Sequence, residues 1–198
     1  VLDYATTGPE GRDNCDKLVE ILGLRTLFPL FMKTPGRKKR KDQSGEEHEE
    51  HVCSLVYSLL RNCSASNRAR ILAKFSEQEH AKVDRLVELH FRYLAKVTAF
   101  RAEHPASALS EDDRQFLHLQ TLDAGLFALQ IMDVILVDVC ASGDPAIAKR
   151  AAKLLAMKSG GFQQVRDIVQ EFLDDLGEEA AEEKERVTGL LQKLPANH

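Results

Sequence analysis

The sequence contains no tryptophan, only three tyrosines, and no excess of basic residues: 27 Lys plus Arg stand against 31 Asp plus Glu in 198 residues. A net charge of −4 excludes a strongly basic nucleic-acid-binding module by bulk charge, and the sparse aromatics offer no interleaved platform for stacking single-stranded bases. The four cysteines, Cys15, Cys53, Cys63 and Cys140, form no CxxC pair. Each lies on or beside an apolar helical stripe, where a thiol acts as a small hydrophobe, the usage expected in a reducing compartment. No GxSxG, P-loop or GxGxxG segment occurs, so no motif supports enzymatic chemistry, and none implies a cofactor. The most apolar stretch, Leu122 to Val139, is interrupted by Asp123, Gln130, Asp133 and Asp138, too polar a pattern for a bilayer-spanning helix. The chain opens on Val1 with no initiator Met and no signal-peptide pattern, and it reads as a fragment whose upstream part is missing.

What is present is helical. At 43% apolar residues and this length, a chain buries roughly 70% of the surface its unfolded form exposes, enough for a core without disulfides or metals. Nearly every periodic segment repeats at 3.6 residues, and no period-two run is long enough for a strand, so the fold class is all-α. Cys15, Leu18, Val19 and Leu22 mark a first helix over 14–22, with Gly23 as its positive-φ terminator. A second helix over 24–33 carries Pro29, which predicts a bend or break at its middle. Residues 34–45 hold Pro35, Gly36, the run Arg37-Lys38-Lys39-Arg40-Lys41 and Gly45, too charged and too rich in helix breakers to pack; they read as a loop. From Glu46 the stripe Val52, Leu55, Val56, Leu59, Leu60, Cys63 marks a firm helix, with a shorter partner over 67–75. The two helix pairs look like successive repeats.

Beyond residue 75 the elements lengthen. Ser76 with Glu79 matches a capping box ahead of the stripe Val83, Leu86, Val87, His90, Leu94, Val97. Ser110 with Asp113 opens a second helix carrying Phe116, Leu122, Leu126, Leu129, Val134 and Val137 to about Cys140; unbroken, it would span about 45 Å at 1.5 Å per residue. The two predict an antiparallel hairpin with coiled-coil-like packing. Asp144-Pro145 starts a further helix that Gly160-Gly161 ends, and stripes over Val165–Leu176 and Val187–Leu194 complete the chain.

Candidate sites are few. His48-Glu49-Glu50-His51 has the wrong spacing for a zinc-protease helix, which needs two histidines four residues apart, so Glu46, Glu47, Glu49 and Glu50 read as a solvated helix start, or as acids facing a partner. His90, alone on an apolar stripe, reads as a core residue. The Arg37–Lys41 run is either a solvated loop, an import-like signal or a contact for polyanions. Asp174, Asp175, Glu178, Glu179, Glu182, Glu183 and Glu185 form an acidic end, either a solvated face or a seat for a basic peptide.

Several long strings carry a resemblance. Residues 2–10 (LDYATTGPE), Leu18 to Met32 (LVEILGLRTLFPLFM), Glu46 to Asn62 (EEHEEHVCSLVYSLLRN), Lys82 to Leu94 (KVDRLVELHFRYL) and Leu122 to Gln130 (LDAGLFALQ) closely resemble the C-terminal part of the beta-catenin-like protein family. The similarity fades after Ala141. The resemblance implies an armadillo-repeat protein of the nucleus, associated with the spliceosome and pre-mRNA splicing. It implies a non-catalytic scaffold that binds basic, nuclear-localisation-like segments of partners, such as the cell-division-cycle-5-like splicing factor and activation-induced deaminase. On this reading residues 1–75 are the last armadillo/HEAT-like repeats of an α-solenoid and 76–198 a helical cap with the long hairpin. Self-association of the long helices, and RNA contact by the basic loop, remain further expectations.

Overall fold

The computed structural model describes residues 5–7, 11–34, 45–105, 110–142 and 144–195; among them there is no strand. The described residues include, in order, α1 (Arg12–Glu20), α2 (Leu24–Phe31), α3 (Gly45–Asn62), α4 (Ala65–Ser76), α5 (Ala81–Glu103), α6 (Glu111–Thr121), α7 (Phe127–Ser142), α8 (Pro145–Met157), α9 (Phe162–Asp175) and α10 (Ala181–Lys193). The all-α expectation and the order of the helix pairs hold.

The core is one continuous cluster running from Cys15 to Leu194, and α7 is its axis. Every residue from Ala128 to Cys140 is buried, because α7 packs against α3, α4, α5, α8, α9 and α10. A helix apolar on all sides is stable only when other elements surround it. Residues 111–142 have the length and apolarity to cross a bilayer, but the apolar part of that stretch is mostly buried among these helices. Near the N-terminus, Phe28, Phe31 and Phe75 pack edge to face, with centroids 5.6 to 6.3 Å apart, and join α2 to α4.

Several local expectations are corrected. Helix α2 runs through Pro29 without a break; Leu24, Leu27, Phe28 and Phe31, all buried, hold it against the core despite one missing hydrogen bond. The positive φ at the end of α1 belongs to Leu22 (64°), not to Gly23 (−56°). Glycine is needed at 23 for room, since a Cβ there would stand 2.6 Å from the Leu18 carbonyl oxygen. The end of α8 repeats this shift, with Ser159 at φ 58° ahead of Gly160. The Ser76–Glu79 capping box does not form. Ser76 is the last residue of α4, and Gln78, Glu79 and His80 turn left-handed (φ 54°, 53° and 67°) before α5 starts at Ala81.

The long helix from Ser110 is not continuous. Its start is as expected, for the Ser110 hydroxyl accepts from the Asp113 N–H at 3.2 Å. At Leu122–Leu126, however, the chain makes a π-turn with Gly125 at φ 125°, a conformation a side chain resists, and Tyr93 stands 3.1 Å from where a Cβ would be. The extra residue in that turn rotates everything before it. Phe116 therefore leaves the predicted stripe and is 61% exposed, while Leu126 and Leu129 are fully buried. Helices α5 and α7 do pack against each other, and other helices surround the pair.

Candidate functional site

Three buried polar clusters hold the helices in register. The first centres on Glu49. With α3 starting at Gly45, the helical period turns Glu49 toward the side of Val52, Cys53 and Val56, so it lies 4% exposed, neither at a solvated helix start nor facing a partner. Arg85 Nη2 and Arg92 Nη1 donate to its Oε1 at 2.8 and 2.5 Å, the Tyr93 hydroxyl donates to Oε2 at 3.1 Å, and the Thr34 hydroxyl also donates to Oε1. The same two guanidiniums share Glu88, at 2.9 and 2.7 Å. Burial alone would raise the Glu49 pKa, but the Thr34 hydroxyl and the two guanidiniums outweigh it and hold the carboxyl below its ordinary value. Of the other predicted acids, Glu46 is exposed and pairs with Lys96, Glu47 is exposed and Glu50 is half-buried.

The second cluster ties the C-terminal helices to the core. Asp138, in the middle of α7, accepts from Arg68 on α4 and from Arg186 on α10 at 2.7 Å. Glu183 is 2% exposed and accepts from the Tyr57 hydroxyl at 2.5 Å, from Arg186 at 2.7 and 2.9 Å, and from Arg61 at 3.1 Å. The acidic end read as a solvated face is thus divided. Glu183 belongs to the interior because α10 turns it toward α3, and Asp175 ties α9 to Gln130 and His118, each at 2.9 Å. Burial, then the Glu183 carboxylate, push the Tyr57 hydroxyl well above its ordinary pKa, so it stays a donor.

The third cluster is a fully buried pair, His90 Nδ1 to Asp133 Oδ1 at 2.7 Å, with Gln164 at 3.4 Å from Nε2. Burial disfavours the charged ring, yet the Asp133 carboxylate prevails and holds His90 above its ordinary pKa. Burial raises the Asp133 carboxyl above its ordinary value although His90 opposes that shift, and one oxygen, Oδ2, has no hydrogen bond among the described residues. Burial also pushes the Cys53 and Cys140 thiols up to about 12, which leaves them unreactive packing groups.

The basic run Arg37–Lys41 lies outside the described residues. Thr34, the last described residue before it, sits on the Glu49 cluster, and α3 resumes beyond it at Gly45. Among the described residues, no group of three or more His, Cys, Asp or Glu stands close enough to hold a metal ion. Chemically, the clusters are struts: guanidinium, imidazole or hydroxyl donors, most of them from other helices, meet each carboxylate. Sequence reading missed the partners Arg68, Arg85, Arg92 and Arg186. The signal available was Asp133 and Asp138 within the most apolar segment, since a charge there requires a partner.

Comparison with known proteins places this architecture. The sequence profile of the family described as catenin-beta-like, Arm-motif containing nuclear matches residues 1–170. Beta-catenin-like protein 1 of Homo sapiens is 41% identical over 208 aligned positions, covering 98% of this chain and 37% of the relative, and the Rattus norvegicus protein shows the same figures. The beta-catenin-like protein 1 homolog of Schizosaccharomyces pombe is 28% identical over 93% of the chain. The chain therefore spans about a third of the length of these relatives. The similarity also runs past Ala141, against the expectation that it fades there.

Proposed function

The chain belongs to the catenin-beta-like, Arm-motif containing nuclear family, and on that premise we propose that it is part of a non-catalytic interaction scaffold of the nucleus. The whole protein would work in spliceosome-associated assemblies by holding basic, nuclear-localisation-like segments of partners such as the cell-division-cycle-5-like splicing factor and activation-induced deaminase. Residues 1–75 would form the last repeats of the array and 76–198 its cap. The observation that supports this reading is the packing of α1 and of α2 against α3, and of α3 against α4, in a chain whose profile match is to an Arm-motif family. Stacked helix pairs offer extended surfaces that bind by shape and charge and need no reactive group.

A fluorescence titration of the full-length protein with a lysine-rich, nuclear-localisation-like peptide tests it. Saturable binding that weakens as salt rises supports the scaffold; no binding at low salt, where charge attraction is strongest, refutes it. The five adjacent cations Arg37–Lys41 favour a second reading, contact with RNA phosphates or an import adaptor role. Replacing all five with Gln would then weaken RNA crosslinking and flatten its salt dependence, and unchanged crosslinking would reject direct contact.

A further inference from the structure

Thr34 carries two independent features. In sequence it is followed by Pro35, with Arg37 three residues on and cations through Lys41. A threonine, then proline, then a basic residue at the third position is the substrate pattern of proline-directed protein kinases. In space Thr34 is exposed and belongs to no helix, so its side chain can turn outward, releasing its bonds to Glu49 and Arg85, without unfolding an element.

One carboxylate and two guanidiniums surround that hydroxyl: it donates to Glu49 Oε1, and a phosphate would have to turn from Glu49 toward the two arginines. The hydroxyl oxygen lies 2.7 Å from Arg85 Nη2 and 3.4 Å from Arg92 Nη1, so two guanidiniums converge on a group that carries no charge. A phosphate ester there would present about two negative charges and three acceptor oxygens to two forked donors. Glu49 and Glu88 compete for the same guanidiniums. Glu88 is half-exposed and Arg92 about a third exposed, so water and phosphate together can take over the outer half of that pairing. Glu49 keeps Arg85 and the Tyr93 hydroxyl on the inner side.

We propose that Thr34 is a phosphorylation site for a proline-directed kinase and that Arg85 and Arg92 clasp the resulting phosphate. Thr34 Oγ1 forms a bond to the γ-phosphorus of ATP, the bond from that phosphorus to the bridging oxygen breaks, and ADP leaves. The hydroxyl proton passes to the kinase's general base and then to water. The product sets a dianion in sequence just ahead of five cations, and so lowers the attraction of Arg37–Lys41 for polyanions.

The test incubates the intact protein with ATP and a proline-directed kinase that prefers a basic residue at the third position. One phosphoryl group should map to Thr34 and be lost in Thr34→Ala and in Pro35→Ala. Phosphorus NMR then reads the second ionisation of the phosphate, near 6 for a free phosphothreonine. It should titrate at clearly lower pH in the wild-type chain and return toward 6 in Arg92→Gln, a change at a partly exposed position. Absence of phosphate at Thr34, or a phosphate titrating alike in wild type and Arg92→Gln, overturns the proposal.

Discussion

Helices α6 and α7 come from one stretch of sequence that reads as a single rod, yet they meet opposite fates. In α6 only Thr121 is buried, and Phe116 and Leu119 stand about 60% exposed; in α7 thirteen successive residues are buried and two of them are aspartates. The π-turn at Leu122–Leu126 separates them. A helix that loses phase by one residue cannot keep one apolar stripe in one core, so the stripe continues in α7 and is abandoned in α6. Burial then sets the chemistry. Acids of α6 such as Glu111 sit in water, whereas Asp133 and Asp138 of α7 persist only with partners drawn from α4, α5 and α10.

The contrast makes a graded set of predictions. Leu129→Ala in α7 should cost about 4 kcal/mol in unfolding free energy, read from urea denaturation, because it empties a core position. Asp138→Ala should come next, at roughly 3 kcal/mol, since it strands two arginines that are about a quarter exposed and so partly rescued by water. Gly125→Ala should cost about 1–2 kcal/mol, as alanine resists φ 125° and its methyl meets Tyr93; hydrogen exchange should rise first in α6, and a neutral result would show that the π-turn is not required.

The fourth prediction concerns pH. His90 is held above its ordinary pKa of 6.5, so its protonated form contributes fully at that value, and the contribution is lost as pH rises through the higher folded value; at the acid end it ends where Asp133, raised by burial, takes up a proton. Urea midpoints measured upward from pH 6.5 should fall in the wild-type chain and fall less in Asp133→Asn. Equal slopes in the two would show that the pair does not carry its proton into that range. Smallest of all, Phe116→Ala in α6 should change stability by no more than about 0.5 kcal/mol. A cost like that of Leu129→Ala would mean that α6 is covered in solution and that the contrast between the two helices is wrong.

Within the candidate clusters, legibility followed locality. The Ser110 and Asp144 caps and the stripes of α3, α5 and α9 need only a few neighbouring residues, and they were readable from spacing. Glu49 and Glu183 were not, because each lies in an acidic run whose members look alike until the helix phase singles one out. Apart from Arg186, three residues from Glu183, their partners are 15 to 126 residues away, distances over which no local pattern reports contact.

By itself the sequence determined that this chain is helical, roughly where each helix lies, and which family it resembles, because periodicity and identity are carried by the string. Only the tertiary structure decided that α7 is the axis, that Pro29 is tolerated, that Leu22 and not Gly23 bends backward, and that Glu49 and Glu183 turn inward. Those outcomes depend on which surfaces meet across the core, where a charge survives only beside its opposite and a strained residue only where packing compensates for it.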